Sequence, residues 1–176
     1  MTLDPRAYRN TIGLFATGVT VITTAANGEV HGMTANAVAS LSLDPMLLLV
    51  SVGKKAHMAG LLQTTSTFTV NILRADQESL STFFAGVWKE PTPPPFQFVA
   101  WDAQPQMGAT RIADALAAIA CVKQEILEGG DHWIVIGRVV ALHQGELPRS
   151  PLLFYGGRYY QLDVSKEHPA PTRRDM

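Results

Sequence analysis

Alternation of apolar and polar positions dominates this chain, and it predicts strands more often than helices. Val19 to Ala26 alternates β-branched residues. Asn27-Gly28 follows, a pair that tolerates positive φ and suits a tight hairpin. A return strand starts at Glu29 and keeps a strand-like pattern from His31 until Asp44-Pro45 breaks it. Met46 to Val52 reads as a fully buried strand, Thr67 to Leu73 as an alternating one, and Trp133 to Leu142 as a third, rich in Ile and Val. Leu152 to Tyr155, Gly156-Gly157, then Arg158 to Leu162 predicts a closing hairpin. Ala113 to Leu127 suits a helix by its alanines and a buried strand by Ile119, Cys121, Val122 and Ile126.

Helical periodicity is confined to three places. Asp4-Pro5 reads as an N-cap with proline at the first helical position. Leu3, Ala7, Tyr8, Ile12, Leu14 and Phe15 then predict a helix with a buried stripe, stopping near Gly18. Gly53 to Leu62 reads as a loop and short helix, and Asp76 to Phe84 as a helix with Leu80, Phe83 and Phe84 on one side. Gly86 to Pro95 is a proline-rich loop. Strands joined by hairpins, with few helices between them, predict a mainly β antiparallel barrel and argue against a doubly wound parallel sheet. One domain is expected over residues 1–164, with a disordered tail at 165–176.

Composition narrows the function. A net charge of −1, with no basic stripe interleaved with aromatics, argues against nucleic-acid binding. The longest apolar run, Met46 to Val50, is too short to span a membrane, and the N-terminus lacks the order of a signal peptide. Cys121 is the sole cysteine and sits in an apolar run, so a buried free thiol and a cytoplasmic setting are expected. Neither Gly-x-Gly-x-x-Gly after a strand, nor a Walker A loop, nor a Gly-x-Ser-x-Gly elbow occurs. The five histidines lack metal-ligand spacing.

What remains is a density of small polar residues. A strand built only to fill a core would carry larger side chains at Thr34, Ala35, Ala37, Ala39 and Ser40. Small residues let a flat ligand approach the backbone, and Thr34, Asn36, Ser40 and Ser42 can hydrogen-bond its edge. Ser51, Val52, Gly53, Lys54, Lys55, Ala56 and His57 leave a buried strand with a hydroxyl, backbone amides and cations that suit a phosphate; a solvated loop is the alternative. Gly129-Gly130-Asp131-His132 reads as a turn into an apolar strand. From spacing alone His132 is a surface histidine.

Taken in order, the Thr-Ala-Asn segment ending in Ser-Leu-Ser-Leu-Asp-Pro, the Gly-Asp-His followed by Ile-Gly-Arg-Val, and the closing Pro151 to Tyr159 resemble the short-chain flavin reductases. The similarity runs from about Tyr8 to Leu162. It implies a flavin-reductase-like, FMN-binding split barrel that is homodimeric, with FMN or FAD between subunits. It also implies hydride transfer from NADH or NADPH to flavin, often for a separate monooxygenase. Carried over residue by residue, Thr34, Ala35 and Asn36 would meet the isoalloxazine and ribityl. Ser40, Ser42, Ser51 and Val52 would continue that contact, and Lys54 and His57 would lie towards the phosphate. Tyr155 would sit near the flavin edge and His132 on the nicotinamide side, as the catalytic candidate. The chain departs from the family at Lys55-Ala56, where relatives often carry Ser-Ser, and at the proline loop Pro91 to Pro95. Two other readings share the fold: a bound-flavin electron carrier or ferric reductase, and a non-catalytic module for a planar cofactor.

Overall fold

A computed structural model describes residues 3–101, 109–145 and 150–166. Seven strands form one antiparallel sheet: β2 (Thr20–Ala26), β3 (Glu29–Ala35), β4 (Val38–Leu43), β5 (Met46–Gly53), β6 (Thr67–Ile72), β9 (Ala117–Gly129) and β10 (His132–Gln144). Their spatial order is β3-β2-β6-β9-β10-β5-β4. The sheet is rolled, because residues from both of its edges face one core: Met33 and Ala35 of β3 and Val38 of β4 pack with Ile22, Val50, Val52, Phe68, Val70, Cys121 and Val135. A helix, α2 (His57–Thr64), closes one end by burying Met58, Ala59 and Leu62. Its last turn is held by Lys123, whose Nζ donates to the carbonyls of Leu62 and Gln63 at 2.7 and 3.0 Å. This is the mainly β antiparallel split barrel expected.

A second core covers the other face of β2 and β6. Val19, Val21, Leu73 and Leu80 meet Ile112 and Leu152 there. They lie under α3 (Glu78–Phe84), the ribbon of β7 (Phe98–Ala100) and β8 (Thr110–Ile112), and the sheet of β1 (Thr17–Gly18), β11 (Leu152–Tyr155) and β12 (Arg158–Gln161). Buried Asn71 bridges the layers. Its Nδ2 donates to Val21 O and Thr23 Oγ1, and its Oδ1 accepts from Ile112 N. Each bond satisfies a polar group that would otherwise be stranded in the core.

Several local expectations change. The segment from His31 to Pro45 is two strands, with Asn36 and Ala37 leaving the ladder between them. The Met46 to Val52 strand is buried on alternate residues only, Leu48, Val50 and Val52, because one of its faces is open. The Ala113 to Leu127 segment resolves into β9. Its alanines are small because Trp101 lies on Ala118 and Ala120, and helix propensity yields to that packing. The first helix, α1 (Pro5–Ile12), ends at a Gly13 cap, well short of Gly18, and buries none of its residues. Its predicted stripe lies open, with Leu3 89 % and Phe15 72 % exposed. At the other end of the chain, Val164–Lys166 forms a 3-10 turn, and the rest of the expected disordered tail lies outside the described residues.

Candidate functional site

Strand parity sorts the sequence-predicted residues. Opposed residues of neighbouring antiparallel strands share a face, and successive residues alternate. Leu48, Val50 and Val52 of β5 point into the core with Trp133 and Val135 of β10. Leu49, Ser51 and Gly53 therefore face outward, opposite Ile136, Ile134 and His132. On β4, Ala39 opposes Leu49. An irregularity between Ser40 and Ser42 places Ser42 opposite Leu47, on the outer face, and Ser40 opposite the buried Leu48.

Above this outer face lies a cleft of about 830 Å³. Its floor is Ala39, Leu49 and Ser51 of β4 and β5, with Asn36 and Ala37 from the link between β3 and β4. Its walls are Arg9, Asn10, Ile12 and Phe15 from α1 and the turn after it, and Phe154, Gly156 and Gly157 from the closing hairpin. The wall is tied together where Gly156 N donates to Gly13 O at 2.8 Å. Gly156 and Gly157 both have positive φ, which lets the hairpin turn tightly beside the cleft. Asn36 Nδ2 donates to Thr17 Oγ1 at 3.2 Å, so the amide is oriented at the rim and keeps an oxygen for other partners.

His132 stands on the same face one side-chain repeat, about 7 Å, beyond Ser51. Its Nδ1 is 2.7 Å from Asp131 Oδ1, a contact that holds the Asp131 carboxyl below its usual range. Nε2 then lies over Gly53, where even a Cβ would be only 3.7 Å away. The missing side chain at Gly53 leaves the passage between Ser51 and the imidazole open.

Other predicted residues stand elsewhere. Thr34 donates its hydroxyl to Ser81 O at 2.6 Å and so anchors α3 on β3. Ala35 turns to the main core, and its carbonyl accepts from Thr20 Oγ1. Val52 is fully buried, so only its backbone is available to a ligand. Lys54 Nζ is bound to Glu128 Oε1 at 2.8 Å and lies 4.5 Å from the Trp133 ring centroid. The solvent-exposed Glu128 thus occupies the Lys54 ammonium, whose charge also acts on Asp131. His57 meets the His31 ring edge-on at 5.3 Å. Tyr155 packs edge-on against Tyr160, while its neighbours Phe154 and Gly156 line the cleft. Sequence reasoning missed Arg9, Asn10, Thr17 and Phe154. The only signal for the α1 residues was an apolar stripe that reads as core.

Comparison with known proteins gives this geometry its context. Residues 12–163 match the model of the flavin reductase like domain, and the chain belongs to that family. It is 36 % identical over 174 residues to the reductase subunit HsaB of a flavin-dependent monooxygenase from Rhodococcus jostii, covering 99 % of this chain and 86 % of that protein. Among solved structures, the flavin reductase PheA2 superposes with a TM-score of 0.82 at 47 % identity, covering 91 % of this chain and 99 % of the other. The NADH:FAD oxidoreductase SgcE6 of Streptomyces globisporus, solved with NAD and FAD fragments, gives 0.81 at 35 % identity, covering 95 % and 99 %. Among the described residues no helix is long and apolar enough to cross a membrane.

Proposed function

We propose that this protein is a flavin reductase that binds FMN or FAD in the outer-face cleft, accepts NADH as hydride donor and supplies reduced flavin to a partner monooxygenase. The observation that carries the reading is the cleft floored by Leu49 and Ser51, with His132 one side-chain repeat further along the same sheet face, in a chain of the flavin reductase like family. The cleft fits a flavin. Its volume lies within the range of small-molecule sites. Ala37, Ala39 and the two hairpin glycines leave room for a flat ring, Leu49 and Phe154 offer apolar contact, and Asn36, Thr17 and Ser51 offer polar contact to its edge.

When bound, the flavin supplies the redox chemistry, taking up hydride from reduced nicotinamide. The protein positions and shields. Leu49, Ile12 and Phe154 would exclude water from a bound flavin, and Asn36 and Ser51 would offer it hydrogen bonds. Asp131 favours the tautomer with the imidazole proton on Nδ1, so Nε2 is presented over Gly53 as an acceptor. His132 thereby orients the carboxamide of the nicotinamide, and no side chain acts as nucleophile.

The cleft is finished by a second copy of the chain. The exposed apolar residues Ile12 and Phe15 line it, Leu3, Tyr8 and Leu14 lie exposed in the same segment, and an eight-residue helix with nothing buried is too short to persist alone. Homodimerisation covers both. The working unit is the split barrel of residues 1–164, and its setting is cytoplasmic.

NADH and NADPH oxidation followed at 340 nm, with and without added FMN, FAD or riboflavin, tests the activity. Oxidation by NADH that saturates in a free flavin is the expected result. A yellow protein that oxidises neither nucleotide would point to the bound-flavin carrier instead. Light scattering after gel filtration checks the dimer, and a monomer at micromolar concentration removes it.

A further inference from the structure

We propose that Arg9, and not Lys54, is the cation that receives a phosphate group of the nucleotide held in the cleft. The inference rests on the cleft being a flavin and nicotinamide site. Among the described residues lining the cleft, Arg9 is the one charged side chain, and no carboxylate accompanies it. Its guanidinium has no ion-pair or hydrogen-bond partner among the described residues. Elsewhere the lining is apolar or neutral, so a ligand anion meets attraction at one point and repulsion at none. The guanidinium fork also matches two phosphate oxygens, which a lysine ammonium does not.

Lys54, which sequence reasoning places towards the phosphate, is committed elsewhere. Its ammonium is paired with Glu128 at 2.8 Å and lies 4.5 Å from the centroid of the Trp133 ring. Releasing it to a phosphate breaks that ion pair. Arg9 needs no such change. A purely structural alternative exists for Arg9, since a cation in the last turn of α1 complements the negative end of the helix dipole. That role makes no distinction between ligands with and without phosphate, and the test uses this difference.

Dissociation constants for riboflavin and FMN are measured by flavin fluorescence quenching, without nicotinamide, for the wild type, Arg9→Gln and Arg9→Lys. The expected result is FMN weakened about tenfold or more in Arg9→Gln, riboflavin changed less than twofold, and Arg9→Lys intermediate. A parallel arm measures KM for NADH. An unchanged FMN-to-riboflavin ratio with a tenfold higher KM at constant kcat assigns the phosphate to the nicotinamide nucleotide and still supports Arg9. Equal loss of riboflavin and FMN, no change in either arm, or a ratio that collapses in Lys54→Met but not in Arg9→Gln overturns the proposal. Failure of the underlying site is separately visible, because the wild type would then bind neither flavin, and the proposal would fall with it.

Discussion

The two faces of the β4–β5–β10 wall are made by the same strands and have opposite uses. On the inner face Val50, Val52 and Val135 are at most 1 % exposed and close the core. On the outer face, one residue out of step, stand Ala39, Leu49 and Ser51, which floor an open cleft, and beyond them Gly53 and His132, all half-buried or exposed. The inner face is large, branched and interlocked. The outer face is small at Ala39 and Gly53 and polar at Ser51 and His132. Core and cleft are thus separated by parity along a strand, so neighbouring residues should fail in different ways when changed.

The largest contrast compares Val52→Asp with Ser51→Asp. Val52→Asp places an unpaired charge in the main core and should destabilise by about 4 kcal/mol or more, leaving little folded protein. Ser51→Asp puts a charge one residue away on the open face. It should keep a cooperative melt and lose flavin binding, as calorimetry and fluorescence quenching would show. Comparable Tm losses in both would break the comparison. Next is Gly53→Leu, which fills the passage between Ser51 and His132. NADH oxidation should fall more than tenfold with Tm changed by only a few degrees. His132→Ala should lower kcat about tenfold or more while the flavin dissociation constant holds, and unchanged NADH kinetics would remove His132 from its assigned role.

Smaller effects report on the sealed side. Cys121 is fully buried, and burial pushes its thiol pKa up to about 12. It should resist an aromatic disulfide reagent at pH 8 until the protein is unfolded, and rapid native labelling would mean that this core opens. Last comes Glu128→Gln. Lys54 holds the exposed Glu128 carboxyl below its ordinary value, so the pair's stabilisation is complete above the normal carboxylate range, about pH 4.3. It fades as pH falls through the depressed value. Tm in the variant should drop by about 1 or 2 °C at neutral pH. That difference should vanish in acid.

Much of this architecture was legible in the residues. Asn27-Gly28 and Gly156-Gly157 marked hairpins because they need positive φ, and all four residues have it. Val19 to Ala26 and Thr67 to Leu73 were legible as strands from their β-branched, alternating residues, and both faces of β2 and β6 are buried, one by each core. The ordered motifs were enough to indicate the family. Within the site the record is uneven. Asn36, Ser51 and the Asp131–His132 pair lie at or beside the cleft, whereas Thr34 secures a helix and Lys54 a neighbouring strand. A hydroxyl or ammonium in a motif has the same composition whichever partner it meets, and its partner lies tens of residues away, Ser81 for Thr34 and Glu128 for Lys54.

The sequence by itself determined the strand-rich class, the hairpins, the proline loop and the set of small polar residues from which a site could be made. Those properties are local, set by backbone steric limits and by which residues alternate. Only the tertiary structure decided which face of each strand is sealed, that Ser40 and Ser42 part company at an irregularity, and that Arg9, Ile12 and Phe15 line a cleft. Each of those outcomes depends on what packs across the sheet from elsewhere in the chain. The apolar pattern that predicts a buried helix is the same whether its cover is this protomer or another surface.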